Sequence, residues 1–427
     1  MSRSEQSAVH RLSVITIDQA IAGASNVLIA ILAARLLAVA SFGLFGIVFL
    51  VYVSVVGVSR ALVSDPLLVH PVEAQERSDE VIGTACLLGS GLGIVVLVAG
   101  LAVGLWAAQL GAALMCLAVC VPLLILQDVG RYLGFATQRP LTAVVLDSCW
   151  LIVLIAAVPA LVVFDARTLT WFIVAWAGSG AATGLLTVWM YREGGIRLDL
   201  SWLRFTWMFS WRYLISYTST QSSALASSGA IAGIAGARAL GGVQGASLLV
   251  RPFVTFQVAA VAAGVGEISR SGAAGRRVRR LCMKTSAFTT GIAALNLVAM
   301  LALPDRIGHV ILGATWEAAQ PMLLPTGVQI LFLGVIAGAR AGLLGMRSVK
   351  QAMAIDVVGT VLCVAAAVCG ALVHGVLGAL WATAMVQAGL AIAWWTVLGS
   401  HHPAESPAAG TDAVLDHVTA AAALPSA

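Results

Sequence analysis

The stretch from Gly23 to Gly43, GASNVLIAILAARLLAVASFG, decides the fold because its pattern returns in the second half of the chain. Ser228 to Gly245 reads SGAIAGIAGARALGGVQG and again carries an arginine at the end of a long apolar segment. A shift of 203 positions aligns Arg35 with Arg238. Similarity at a fixed, long offset is typical of a structural unit that is used twice.

A second pair of ionisable residues recurs at nearly the same offset. Arg131 and Asp147 are 16 positions apart, Arg340 and Asp356 are also 16 positions apart, and the shift between the pairs is 209. We therefore predict two copies of one unit.

The composition indicates a polytopic membrane protein. Hydrophobic residues make up 60% of the 427 residues, charged residues make up 10%, and the mean hydropathy is +0.97. A soluble chain of this composition could not cover itself with polar surface. The alternation of polar and apolar residues expected of a membrane barrel is missing from the sequence, so we predict an all-α fold.

Crossing a hydrocarbon core of about 30 Å takes roughly 20 apolar residues in a helix. Twelve segments meet this requirement, six in each copy. The predicted spans are 12–35, 43–63, 81–105, 108–128, 141–164, 168–190, 213–237, 242–264, 285–303, 321–344, 351–373 and 376–398.

The two copies define the predicted domains. Residues 1–190 form one six-helix lobe and residues 213–398 form a second, pseudo-symmetric one. Residues 191–212 join the lobes as a cytoplasmic linker, whose aromatic residues beside arginines indicate an interfacial helix or an aromatic belt. Residues 399–427 are rich in Ala, Pro and Ser and lack Lys and Arg, which is typical of a disordered tail.

The basic residues predict the orientation. Lys and Arg are concentrated in the even-numbered loops, most densely at 192–212 and 270–284. By the positive-inside rule both termini face the cytoplasm, and the expected location is the cytoplasmic membrane. The basic loops fit topology control and attraction to anionic headgroups, so the bilayer is the predicted partner and nucleic acid is not.

Six spans per copy give both copies the same direction across the bilayer. Transporters with such parallel repeats bind their substrate in a cavity at the seam between the copies. Exposure of a charge to lipid costs roughly 2.5–3.5 kcal/mol at a helix centre, so ionisable residues in the spans must face protein or water. Nine lie within or at the ends of spans: Asp18, Arg35, Arg60, Arg131, Asp147, Arg238, Arg251, Arg340 and Asp356.

The six arginines of this set are the candidate substrate ligands. Arg251 precedes Pro252 in the middle of span eight and either lines the cavity or forms a structural ion pair. Arg60 lies near the end of span two, from where its side chain could also snorkel to the interface. The other four, at helix ends, could instead anchor to headgroups: Arg35, Arg131, Arg238 and Arg340.

Polar residues form a second candidate set, which would line the cavity or couple transport to an ion. Span one has a polar face at helical spacing, and span seven has a hydroxyl-rich one. Asp18 is either a proton or cation site or the counter-ion of a neighbouring arginine, and we favour the second interpretation. The set is Asp18, Gln19, Asn26, Gln221, Asp147 and Asp356.

The excess of arginine over aspartate favours an anionic substrate. The planar guanidinium fork suits phosphate, whereas an exporter of cationic drugs would need acidic residues. The sequence contains no Gly-x-x-x-x-Gly-Lys-Ser/Thr run that would bind ATP, and its seven cysteines form no CxxC pair. We predict no cofactor, no metal site and no catalytic residue, and therefore a protein that is not an enzyme.

Several short motifs resemble those of Wzx-type polysaccharide flippases, which belong to the multidrug, oligosaccharidyl-lipid and polysaccharide exporter superfamily. The resemblance covers spans one to eleven. The matching residues are Ala34-Arg35-Leu36-Leu37, Phe42-Gly43, Arg60-Ala61-Leu62, Asp65-Pro66-Leu67, Gln127 to Tyr132, Arg139-Pro140, Asp147, Arg251-Pro252, Leu312-Gly313 and Trp316.

The resemblance implies a two-lobed, alternating-access fold like that of the multidrug (MATE) exporters in the same superfamily. It implies that a polyprenyl-diphosphate-linked oligosaccharide is moved to the outer leaflet, with other polysaccharide-assembly proteins as further partners. Arginines on helices one, two and eight would grip the diphosphate, which corresponds here to Arg35, Arg60 and Arg251. Arg35 lies at the outer end of its helix rather than in mid-span.

Three other functions stay open at this point. A multidrug exporter would share the fold, although the excess of arginine argues against it. A membrane glycosyltransferase or polysaccharide polymerase would need a long extracytoplasmic loop, and the longest one predicted here is only 304–320. A membrane scaffold would use the basic loop at 270–284 to bind partners.

Overall fold

The computed structural model describes residues 25–137, 139, 141–191, 197–271, 276–346 and 348–400. Every regular element in these residues is helical. This is expected for apolar segments in lipid, where each helix satisfies its own backbone donors and acceptors.

The first lobe runs from α1 to α8. Its α2 continues through one wide π turn at Arg60–Ser64 directly into α3. The helices are α1 Ser25–Leu36, α2 Val39–Ser59, α3 Asp65–Val69, α4 Pro71–Glu76, α5 Ser78–Gly104, α6 Ala108–Ala136, α7 Leu141–Val163 and α8 Leu169–Met190.

The second lobe runs from α9 to α15. A short 3-10 turn at Gln320–Met322 joins α13 to α14, and α15 contains a sharp kink at His374 and Gly375. The helices are α9 Ser201–Ala235, α10 Ala237–Ser271, α11 Arg276–Leu301, α12 Asp305–Leu312, α13 Thr315–Ala319, α14 Leu323–Gly345 and α15 Val349–Ser400.

The predicted fold class is confirmed. Eight helices of the described chain are long and apolar enough to cross a membrane, and α15, at 52 residues, supplies two arms. The two arms fold back on each other at the kink. Their backbones come so close that a side chain at Gly370 would overlap the backbone of Gly378. All twelve predicted spans coincide with helices, except that the first span begins among residues outside the described part.

Several helices extend beyond their predicted ends, and two of these extensions, in α6 and α9, matter for the site. The fourth span was predicted to end at residue 128, but α6 continues for two more turns to Ala136. The predicted linker at 191–212 is partly helical, because α9 begins at Ser201 and runs without interruption through the seventh span. Of the two interpretations of this segment, the continuity of α9 favours an aromatic belt at the start of the seventh span over a separate interfacial helix.

The two lobes meet along α2. Near one end of the helix, a side chain at Gly43 would overlap the carbonyl of Ala237, and one at Gly241 would overlap the carbonyl of Val39. Small residues therefore let α2 and α10 touch backbone to backbone, as is common between membrane helices. This end carries the odd-numbered connections, and we call it the odd-loop end. The opposite end, with the even-numbered connections, is the even-loop end.

Candidate functional site

The two residue pairs that reveal the repeat are ion pairs. Arg131 Nε lies 3.0 Å from Asp147 Oδ1, and Arg340 Nη2 lies 2.9 Å from Asp356 Oδ2. The environments of the two pairs differ. The side chains of the first pair are 7% and 5% exposed, whereas those of the second are 42% and 34% exposed.

In the first lobe, the ion pair belongs to a larger network of charges. Arg60 donates from Nε to both carboxylate oxygens of Asp128, at 3.1 and 2.9 Å, and from Nη2 to Oδ1 at 2.6 Å. Arg131 Nη1 lies 3.5 Å from the same Asp128 Oδ1. Gln127 Nε2 donates to Asp147 Oδ1 at 2.9 Å. We call these five residues the Arg60 network.

Arg60 forms the accessible edge of this network. The Asp128 side chain is 3% exposed, whereas the Arg60 side chain keeps 39% of its surface exposed. Tyr217, on the first helix of the second lobe, packs over Gly57, three positions before Arg60, and donates from its hydroxyl to the carbonyl of Val53 at 2.7 Å. The guanidinium therefore lies where α2 meets the other lobe, with a buried carboxylate behind it.

Helix geometry explains how the sequence builds the network. Gln127, Asp128 and Arg131 occupy neighbouring positions on one side of α6, because residues three and four apart lie on the same helix face. Asp147 is buried on α7, the next helix. A side chain at Gly134 would contact Thr142 of α7 at 3.0 Å, so the small residue allows the two helices to approach closely.

The π turn that contains Arg60 is held by α9. A π turn interrupts the regular hydrogen-bond ladder, and backbone carbonyls buried away from water need other donors. Ser210 Oγ donates to the carbonyl of Leu62 at 3.1 Å, and Trp202 Nε1 donates to the carbonyl of Val63 at 3.3 Å. Both side chains are fully buried, so the second lobe supports the turn from which Arg60 projects.

Arg251 reaches the same helix at another level. Its guanidinium lies 5.3 Å from the centre of the Phe49 ring, which packs against Trp176. Phe49 and Arg60 are 11 residues apart on α2, which is three helical turns and roughly 16 Å along one face. Arg60 on α2 and Arg251 on α10 therefore lie along the same face of α2, but about three helical turns apart.

The remaining predicted arginines lie elsewhere. Arg35 and Arg238 are exposed at the odd-loop end, in the last turn of α1 and the first turn of α10. Arg35 lies beside Gly313, whose positive φ of 58° suits glycine. Arg340 is paired with Asp356 at the even-loop end and lies 6.0 Å from the centre of the Trp394 ring.

The predicted polar set is only partly within the described residues. Asp18 and Gln19 lie outside them. Asn26 is exposed on α1, Gln221 is half-buried on α9, and neither belongs to the Arg60 network. Of this set, the network contains Asp147 alone.

Sequence reasoning did not identify Asp128 and Gln127 as site residues. Both were treated only as part of a family motif, because the fourth span was predicted to end at residue 128. The available signal was the spacing, since an acid three positions before Arg131 falls on the same helix face. Phe49, the neighbour of Arg251, gave no signal among the many apolar residues of its span.

An apolar cleft of about 440 Å³ lies between the two arms of α15. It is lined only by aliphatic residues and glycine, among them Ala354, Val358 and Leu362. None of the candidate arginines lines it, so it is separate from the Arg60 network. Within the part of the chain that the structure describes, no group of three His, Cys, Asp or Glu side chains could hold a metal ion.

Comparison with solved structures identifies the fold. The chain is similar to an inward-facing multidrug resistance MATE family transporter of the MOP superfamily, with a TM-score of 0.69, 12% identity, and coverage of 88% of this chain and 93% of the other. It is similar to the lipid II flippase MurJ in an inward closed conformation, with a TM-score of 0.72, 10% identity, and coverage of 90% and 87%.

A MOP superfamily transporter from Pyrococcus furiosus matches with a TM-score of 0.59, 15% identity, and coverage of 92% and 94%. No family model matches the sequence, and no curated protein matches it. At these identities the likeness concerns the fold. The chain therefore has the all-helical, two-lobed fold seen in the MATE and MurJ transporters of the MOP superfamily.

Proposed function

We propose that this protein is a flippase that moves a polyprenyl-diphosphate-linked oligosaccharide across the cytoplasmic membrane by alternating access. The observation that carries the proposal is Arg60. Its side chain is 39% exposed on the π turn that α9 supports, while the side chain of its acidic partner, Asp128, is only 3% exposed. Arg251 offers a second guanidinium on the same face of α2.

The chemistry of these side chains suits a phosphorylated head. A guanidinium binds phosphate through two parallel charge-assisted hydrogen bonds, which a lysine cannot form in the same geometry. Such bonds are stronger in a site of low dielectric constant than in water. The prenyl chain would stay in lipid, and no covalent step is needed.

The two arginines would act in sequence rather than together. A diphosphate is much shorter than the roughly 16 Å that separates their levels on α2. The head would first meet Arg60, which is nearer the even-loop end, and then Arg251, which is about three turns further on. In the proposed orientation the even-loop end and both termini face the cytoplasm, so reporter fusions after Arg280 and after Arg306 should report opposite sides of the membrane.

The other candidates have different roles in this proposal. Arg131, Asp147, Arg340 and Asp356 form ion pairs that position the helices. Arg35 and Arg238 are exposed at the odd-loop end, where they would meet the head as it leaves or contact lipid headgroups. The polar residues proposed to line the hydrated path are Asp18, Gln19, Asn26 and Gln221.

Deletion of the protein, followed by mass spectrometry of polyprenyl-linked sugars, tests the proposal. We expect lipid-linked oligosaccharide to accumulate, and complementation by Arg60→Ala or Arg251→Ala not to clear it. Arg306→Ala is the matched control, because Arg306 is exposed on α12, away from the Arg60 network. All variants must reach the same abundance. If no lipid-linked sugar accumulates and only drug sensitivity appears, a multidrug exporter is the better account.

A further inference from the structure

We propose that Asp128 determines the specificity of this site by acting as an internal competitor for Arg60, so that a diphosphate is bound in preference to an anion of lower charge. This inference rests on the proposed function. It assigns a role to a side chain that is itself only 3% exposed.

The first step is that Arg60 is already occupied. Its Nε and Nη2 atoms make three hydrogen bonds to the Asp128 carboxylate, between 2.6 and 3.1 Å. An arriving anion therefore does not meet a bare guanidinium. The anion must either share the Arg60 guanidinium with the Asp128 carboxylate or displace that carboxylate from it.

The second step is that the network is balanced in charge. It contains two arginines and two aspartates, and three of these four side chains are almost completely buried. A monophosphate meets no net positive charge here and has to compete with Asp128 for the same N–H donors of Arg60. A diphosphate carries more charge and more acceptor oxygens, so it gains more from Arg60 than Asp128 loses. Arg131 stays beside Asp128 and limits that loss.

The third step comes from the repeat itself. At the offset of 209 that aligns Arg131 with Arg340, the residue equivalent to Asp128 is Ala337. The second lobe forms the Arg340–Asp356 ion pair without this additional acid. The repeated unit therefore does not need a carboxylate at this position in order to fold, which leaves Arg60 as the reason for its presence in the first lobe.

The test is a binding measurement on the full-length protein in lipid nanodiscs. The probes are a prenyl diphosphate and the prenyl monophosphate of the same chain length. We expect the wild type to bind the diphosphate about tenfold or more tightly than the monophosphate. In Asp128→Asn the affinity for the monophosphate should rise, so that the ratio of the two dissociation constants falls to about threefold or less. Asp128→Glu should retain most of the wild-type ratio.

The matched control is Asp356→Asn, which makes the same carboxylate-to-amide change in the other lobe, where no equivalent of Arg60 competes for the acid. It should leave the ratio unchanged. A merely structural role for Asp128 would lower both affinities equally, and that result overturns the inference.

The wild-type measurement decides the matter even if Asp128→Asn fails to fold. Equal binding of the two probes by the wild type overturns the specificity role and leaves the flippase proposal standing. Binding of neither probe overturns both.

Discussion

Arg131 is the cation on which the buried acids of the first lobe depend. It contacts both Asp128 and Asp147, and all three side chains are nearly inaccessible. Removing one partner of a buried ion pair leaves a charge without compensation, which costs about 3–5 kcal/mol. Its repeat equivalent, Arg340, forms one pair that is one-third to two-fifths exposed, and such a pair contributes about 1 kcal/mol or less.

We therefore expect Arg131→Ala to lower the free energy of unfolding by about 3–5 kcal/mol and Arg340→Ala by about 1 kcal/mol. Thermal unfolding of both purified variants in the same detergent checks this. The two positions are equivalent by sequence, so each variant serves as the control for the other. Equal shifts of the unfolding midpoint would contradict the proposed difference in burial.

At the scale of single residues, the sequence singled out ionisable residues in the spans, but it did not indicate Asp128 or its pairing with Arg60. The repeated spacing of Arg131 and Asp147 and of Arg340 and Asp356 correctly singled out two related positions. The difference in exposure between these pairs could not be predicted, because it depends on how the neighbouring helices pack, among them α2, whose π turn carries Arg60. Arg251 was recognised from its depth in a span, but its contact with Phe49 joins two lobes and leaves no local pattern.

The π turn in α2 is the element that positions Arg60, and two side chains of α9 complete its hydrogen bonds. Trp202→Phe keeps an aromatic ring at this position, although a smaller one, and removes the donor to the carbonyl of Val63. A buried carbonyl left without a donor costs about 1–3 kcal/mol. We expect Trp202→Phe to lower the free energy of unfolding by this amount and to weaken binding at Arg60.

The control for this prediction lies on the same helix. Trp207 is 50% exposed, so Trp207→Phe should leave stability nearly unchanged. Chemical unfolding of the two variants, followed by circular dichroism, makes the comparison. If both substitutions had the same small effect, α9 would not be supporting the π turn.

At the scale of elements, the lengths of the apolar segments predicted that they are helices and roughly where these lie. They did not predict where each helix begins and ends. The helix α6 continues past its predicted end at Asp128 to Ala136. The charges of Asp128 and Arg131 lowered the apparent hydropathy there, although they neutralise each other in the structure. The start of α9 at Ser201 lies before the predicted start of the seventh span, because arginines and aromatic residues at 204–212 fit either an interfacial helix or an aromatic belt at the start of that span. In α6, tertiary pairing compensates charges that a sequence profile counts as exposed.

At the scale of the molecule, α2 is the helix that the two lobes share. It touches α10 near the odd-loop end through Gly43 and Gly241. Near the even-loop end it touches α9, where Tyr217 packs over Gly57 and donates to the carbonyl of Val53 at 2.7 Å. Both proposed ligands of the diphosphate lie along this shared helix, so a movement of the lobes would change their access together.

The division into two six-helix lobes followed from the repeat and from the count of apolar segments. The sequence did not indicate that Arg60 and Arg251 lie at separate levels. That separation depends on where α10 crosses α2, which close glycine contacts determine. Because of this separation, we propose that the diphosphate contacts Arg60 and Arg251 one after the other and not at a single binding point.

The most direct test of this account is transfer of a fluorescent polyprenyl diphosphate across proteoliposomes that contain only the purified protein, followed with a quencher that cannot cross the membrane. We expect transfer by the wild type and by Arg306→Ala at equal rates. Arg60→Ala should be slower by about tenfold or more, because a charge-assisted hydrogen bond contributes about 1.5–3 kcal/mol. Transfer by Arg60→Ala at the wild-type rate would contradict the account.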